Sequence, residues 1–190
     1  MPLRAELVAT CRDMAASGLA VATTGNASVR DGDTVLISPT SLPYEEMTEA
    51  DVVRIGLNGE VLEGERAPSS EWQVHCAIYR ARPDAGAIVH GHSPHAVAWS
   101  ALGEELDTGT EDLEHYCGGP VRTAPFAPTG TAELADAVLA ALGDRNAVLM
   151  ARHGIVALGR DLRGALHVCA VVEQQAHVAW LLRSTKNVQQ

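Results

Sequence analysis

At 190 residues, 46% of them hydrophobic, the chain has the size to close one domain, spanning 1–190, around a substantial core. A formal net charge of −10 excludes the broad basic surface that nucleic acid requires, while leaving room for a small anion in a locally positive pocket. No stretch reaches the roughly 18 apolar residues of a membrane span, no basic-then-apolar leader opens the chain, and Cys11, Cys76, Cys117 and Cys169 form no Cys-x-x-Cys pair, so a cytoplasmic protein with reduced thiols and no membrane partner is expected.

Residues 3–16 carry Leu3, Leu7, Val8, Cys11 and Met14 at helical spacing, with Gly18 as a stop. Residues 22–30 form a small polar bend leading into a strand, and Gly25 and Asn26 both tolerate left-handed backbone. That bend reads either as an ordinary turn or as a loop whose N–H groups hold an anion. A strand is expected over 34–38, followed by a turn over 39–43. A hairpin is expected over 52–57 and 60–62, around the strong turn pair Asn58-Gly59.

Pro68-Ser69-Ser70-Glu71 opens a helix expected to reach about Arg82. Ser70 and Gln73 fit a capping box, and Glu71 in the first turn would balance the helix dipole. The same helix start also suits an anion. His75, one turn beyond Glu71, reads as solvated helix surface or as support for a site.

The apolar run Ala87-Ile88-Val89 is a buried strand that ends in His90-Gly91-His92-Ser93-Pro94-His95. Along an extended chain His90 and His92 point to the same side, and two adjacent imidazoles are half of a zinc-type site. A helix follows from Pro94 to about Ala101. Residues 103–128 read as irregular, a length of connection that is often functional. A helix over 131–142 has Thr131 as its cap, residues 147–150 and 155–158 form a strand pair, and Asp161 caps a last helix to about Leu182, ahead of a frayed tail over 183–190.

Among the eight histidines, His153 interrupts two apolar runs, where an unpartnered imidazole is costly, so it is the third candidate ligand. His167 and His177, ten residues apart on the last helix, read as surface or packing residues. The chain has no G-x-G-x-x-G, Walker loop, H-E-x-x-H or H-x-E with P-C-x-x-C, and Gly91-His92-Ser93-Pro94-His95 lacks the final glycine of a nucleophile elbow, which together disfavour dinucleotide, NTP and serine-hydrolase readings. Irregular alternation of helices and strands, with hairpins, predicts an α/β fold of the α+β type: a central mixed, largely antiparallel sheet flanked by helices.

Five blocks occur in the order and spacing of the class II aldolase/adducin family, which the chain resembles from about residue 3 to about residue 182. They are Thr24-Gly25-Asn26-Ala27-Ser28, Ser38-Pro39-Thr40, Pro68-Ser69-Ser70-Glu71, His90-Gly91-His92-Ser93-Pro94-His95-Ala96 and Arg152-His153-Gly154. The resemblance implies that His90, His92 and His153 hold zinc, with manganese or cobalt also acceptable to imidazoles. It implies that Glu71 is the acid/base and also a metal contact, and that Gly25, Asn26, Thr40, Ser41, Ser69 and Ser70 hold a substrate phosphate. It further implies a homotetramer with active sites between subunits, and retro-aldol cleavage of a small phosphorylated ketose to dihydroxyacetone phosphate and an aldehyde. A sugar-phosphate 4-epimerase, a 3-oxo-acid-phosphate decarboxylase and a non-catalytic adducin-like module are the alternatives. Three departures from the family's aldolases gather at the aldehyde end: Asp112 replaces a tyrosine lent by a neighbouring subunit, with Tyr116 out of register; Thr129 replaces a phenylalanine; and a tyrosine-bearing C-terminal tail is missing.

Overall fold

The computed structural model describes residues 2–187. Its elements in chain order are α1 (Leu3–Ala16), β1 (Asn26–Asp31), β2 (Thr34–Ile37), β3 (Val53–Gly56), β4 (Val61–Glu63), α2 (Trp72–Ala81), β5 (Ala87–Gly91), α3 (Pro94–Leu102), β6 (Thr123–Ala124), α4 (Ala132–Leu142), β7 (Ala147–Met150), β8 (Gly154–Gly159) and α5 (Leu162–Asn187). The strands form one mixed sheet in the order β4-β3-β2-β1-β5-β8-β7-β6, antiparallel at every step except the parallel β6–β7 pair. This is the expected architecture.

The two-residue alternation of the strands divides the core between the sheet's faces. Ala27, Val29, Ala87, Val89, Leu149 and Ile155 pack with residues of α1, α3 and α5. Val35, Ile55, Ile88, Val148 and Val156 pack on the other face with residues of α2 and α4. Strand β5 lies near the middle and is buried at every position, so side chains at its end are held by structure on both sides.

Several local expectations are corrected. Helix α2 starts at Trp72 with Glu71 as N-cap, and the cap makes no side-chain hydrogen bond, so the Ser70–Gln73 box does not form. The cause is long-range: Pro68 bridges to Pro39, Ser69 N–H donates to the Ser38 carbonyl (3.0 Å) and Thr40 N–H to the Ala67 carbonyl (3.1 Å), holding 67–69 against the end of β2. The Ser69 hydroxyl instead accepts from the Glu71 N–H at 3.3 Å. The connection over 103–128 is more ordered than expected, with a Leu106–Val121 bridge, a π-helical turn over Leu113–Cys117 and the short strand β6. Helix α5 continues past Leu182 to Asn187; Arg183 ties its late turns to the loop after α3 by pairing with Glu104 and lies over the Trp99 ring at 4.3 Å. Residues 188–190 of the expected tail lie outside the described residues.

Thr131 and Asp161 cap as expected, accepting from the N–H groups of Leu134 (3.2 Å) and Gly164 (2.7 Å). All four cysteines are free and buried. His167 and His177 are exposed on α5, where His177 stacks on His95 at 4.1 Å.

Candidate active site

Strand periodicity places the His90 and His92 rings side by side, with centroids 4.6 Å apart. His153 arrives from the tight turn between β7 and β8, where Arg152 adopts a positive φ of 62° and the His153 N–H donates to the Met150 carbonyl at 3.0 Å. Its ring lies 4.9 Å from each of the other two. Glu71, at the head of α2, completes the group: ligand atoms of Glu71, His90, His92 and His153 all lie within 4.8 Å of one another.

The protons in this group can be placed by donor and acceptor chemistry. His90 Nδ1 lies 2.7 Å from the Ile155 carbonyl, which only accepts, so Nδ1 carries the hydrogen. The lone pair of a neutral His90 is then on Nε2, which faces Glu71 Oε2 at 2.9 Å and His92 Nε2 at 2.8 Å. Glu71 Oε1 is buried and makes no hydrogen bond, with His153 Nε2 3.2 Å away. Lone pairs therefore converge on a common centre, and a proton or a cation must relieve them. Burial works against ionised Glu71, but His90, His153 and the Asn26 amide outweigh it and hold its carboxyl well below the ordinary range. Burial, reinforced by His90 and His153, pushes His92 down to about 3, and burial also lowers His153. One carboxylate with three imidazoles suits zinc, manganese or cobalt, so this group fits a divalent metal.

Beside it lies a cavity of about 280 Å³ whose wall includes Gly25, Asn26, Thr40, Ser41, Ser69 and Ser70, together with Glu71, His92, His153 and Thr129. Gly25 is required here: its φ is 73°, and a Cβ would stand 2.6 Å from the His90 carbonyl. Ser41 also holds a positive φ, 58°. Thr40, Ser41, Ser69 and Ser70 bring hydroxyl donors without charge, suited to an anion bound close to a cation. A larger cavity of about 910 Å³, lined by Leu19, Leu166 and Ala170, contains none of these groups.

Asp112 and Tyr116 lie outside the 280 Å³ cavity. Asp112 accepts from Gln175 Nε2 at 3.0 Å, and Tyr116 packs edge-on to His115 and His167 at 4.6 Å. His75 corrects the expectation of a solvated position: it has no exposed surface and contacts Ser28 and Asn26. The available signal was its i+4 spacing from Glu71, with Tyr79 a further turn along.

The profile of the Class II Aldolase and Adducin N-terminal domain matches residues 5–180. The chain is 42% identical over 183 residues to the 5-deoxy-D-ribulose 1-phosphate aldolase of Bacillus thuringiensis serovar kurstaki, covering 95% of this chain and 85% of that one. It is 40% identical over 176 residues to the L-fuculose phosphate aldolase of Escherichia coli K12, covering 93% and 81%. Its fold superposes on a solved L-fuculose 1-phosphate aldolase with a TM-score of 0.93 at 35% identity, covering 96% and 87%. On this combination of matched sequence, shared fold and a four-residue donor group able to hold a metal, the chain belongs to the class II aldolase and adducin family and is a class II aldolase.

Proposed function

We propose that this protein cleaves a small phosphorylated ketose by retro-aldol reaction, giving dihydroxyacetone phosphate and an aldehyde. The observation that carries the reading is the convergence of Glu71, His90, His92 and His153, of which Glu71, His92 and His153 line a cavity that also holds hydroxyl and amide donors. His90, His92 and His153 would hold zinc, with Glu71 in contact. When bound, such a cation supplies Lewis-acid stabilisation of the negative charge left on the three-carbon fragment.

Gly25, Asn26, Thr40, Ser41, Ser69 and Ser70 bind the phosphate, and remote binding energy thereby fixes the reacting carbons. For Asn26 this calls on its second amide hydrogen, because the first goes to Glu71. As the bond between C3 and C4 breaks, the C4 hydroxyl loses its proton and becomes the aldehyde, the electron pair stays with the three-carbon fragment, and C3 gains a proton. Glu71, a buried carboxylate at the inner wall, carries that proton to C3. Thr129 on the cavity wall meets the aldehyde end.

Residues 1–190 serve as one such domain, and the protein works as a cytoplasmic homotetramer with its sites between subunits. Exposed Leu102, Trp180, Leu181 and Leu182 support an assembly, and the four buried free thiols support a reducing compartment.

The test is zinc-loaded protein given L-fuculose 1-phosphate or 5-deoxy-D-ribulose 1-phosphate, with dihydroxyacetone phosphate, carbon dioxide and epimer measured side by side. Release of dihydroxyacetone phosphate from at least one ketose is expected, falling about 10²–10⁴-fold in Glu71→Gln, which keeps its metal. Epimer or carbon dioxide without dihydroxyacetone phosphate, or a fully active Glu71→Gln, overturns the reading.

A further inference from the structure

Behind Glu71, on the face of the sheet covered by α2, two polar stripes meet where apolar packing would be ordinary. From the N-cap of α2 into the helix, Glu71, His75 and Tyr79 recur every fourth residue; along β1, Asn26 and Ser28 are two residues apart. Four helical residues rise about 6 Å and two strand residues about 6.6 Å, so the stripes stay in step. His75 and Ser28 have no exposed surface, Tyr79 is 1% exposed and Asn26 4%. Leaving any of these groups unpaired at such depth is costly, yet the network is complete, with each member bonded to the next.

The direction of every bond can be worked out from one end. A carboxylate cannot donate, so the Asn26 Nδ2 group faces Glu71 Oε2, at 2.9 Å. Its carbonyl Oδ1 then faces His75 Nε2 at 2.6 Å, and an amide oxygen only accepts, so Nε2 carries the hydrogen. Complete burial pushes His75 down to about 3, leaving the ring neutral and Nδ1 an acceptor. Ser28 O–H therefore donates to His75 Nδ1 at 2.6 Å, and Tyr79 O–H donates to Ser28 Oγ at 2.8 Å.

We propose that Tyr79, Ser28, His75 and Asn26 form a one-way hydrogen-bond chain whose task is to fix the Asn26 amide with its N–H toward Glu71, making His75 a positioning residue for the proton-transferring carboxylate. A rotated Asn26 would set its oxygen against Glu71, and His75 forbids that by donating to the oxygen's present place. The role rests on Glu71 being the proton carrier proposed above, but the state of the chain can be read on the protein whatever it turns over.

The test has two parts. Long-range ¹⁵N–¹H correlation of the imidazoles in the zinc-loaded protein is expected to show His75 as the Nε2–H tautomer, and Ser28→Ala is expected to erode that preference. Exchange of a hydrogen of dihydroxyacetone phosphate for solvent deuterium, which needs no aldehyde, isolates the proton step. His75→Leu is expected to slow exchange about 10–100-fold, while His75→Gln, which still offers an N–H toward Asn26, recovers to within about threefold of the wild type. A His75 Nδ1–H tautomer overturns the chain, as does a folded His75→Leu that exchanges at the wild-type rate or a His75→Gln no better than His75→Leu. If neither ketose is cleaved, the retro-aldol reading fails while the tautomer still decides the chain.

Discussion

A single methyl group at residue 154 probes how closely the backbone sets the spacing of the three histidines. Gly154 follows His153, and it faces Gly91, the residue between His90 and His92. A Cβ there would lie 2.2 Å from the Gly91 carbonyl oxygen and 3.4 Å from His90 Cε1, whereas ordinary contact begins at 3.4 Å. In Gly154→Ala the two segments must therefore separate by about 1.2 Å at that point, several times the ~0.2 Å tolerance of a metal–ligand distance. Overpacking of this kind costs about 1–3 kcal/mol, which for a chain of this size lowers Tm by about 2–12 °C. Metal affinity should fall further, about 100-fold, because the movement separates His153 from the His90/His92 pair. Competition with a chromogenic chelator reads the affinity, and circular dichroism with a thermal scan of metal-free protein reads the fold. A folded Gly154→Ala that binds zinc as tightly as the wild type refutes the reasoning.

Three other outcomes test separate parts of the structure. Burial pushes Cys11, Cys117 and Cys169 up to about 12 and Cys76 up to about 11, so a disulfide reagent should label none of the four thiols in the native protein and all of them in guanidinium. Thr131→Ala removes the acceptor for the Leu134 N–H and should cost about 1 kcal/mol, a drop of about 2–4 °C in Tm. Arg66 and then Thr48 hold the Asp51 carboxyl at about 2, below its ordinary 3.8. A depressed folded value means stability that is present above pH 4 and lost as pH falls from about 4 to about 2, so acid unfolding curves of Asp51→Asn should lose part of the wild type's slope in that window.

What could be read in the sequence was local. The pairing of His90 with His92 follows from strand periodicity, the oddity of His153 from the cost of an imidazole among apolar residues, and the β3–β4 hairpin from Asn58-Gly59. What escaped depended on distant partners. Ser70 and Gln73 satisfy a capping pattern, but the bridge from Pro68 to Pro39 prevails over it. His75 looks like helix surface until α2 is laid against the polar side of β1, and no pattern within α2 announces that Asn26 and Ser28 face it. Two-residue β6 is too short to carry an alternation and exists through its pairing with β7. The last turns of α5 are held by contacts of Arg183 with Glu104 and Trp99, about eighty positions earlier.

The most direct measurement is a calorimetric zinc titration of chelator-stripped protein beside His153→Ala, with Tm followed at saturation. The account predicts one ion per chain in the wild type, stabilisation of about 2.7 kcal/mol or about 5–11 °C at a hundredfold excess over Kd, and markedly weaker binding in the variant. A wild type that takes up no divalent ion, or a His153→Ala that binds it just as tightly, contradicts the convergence of the three imidazoles and Glu71 on one cation.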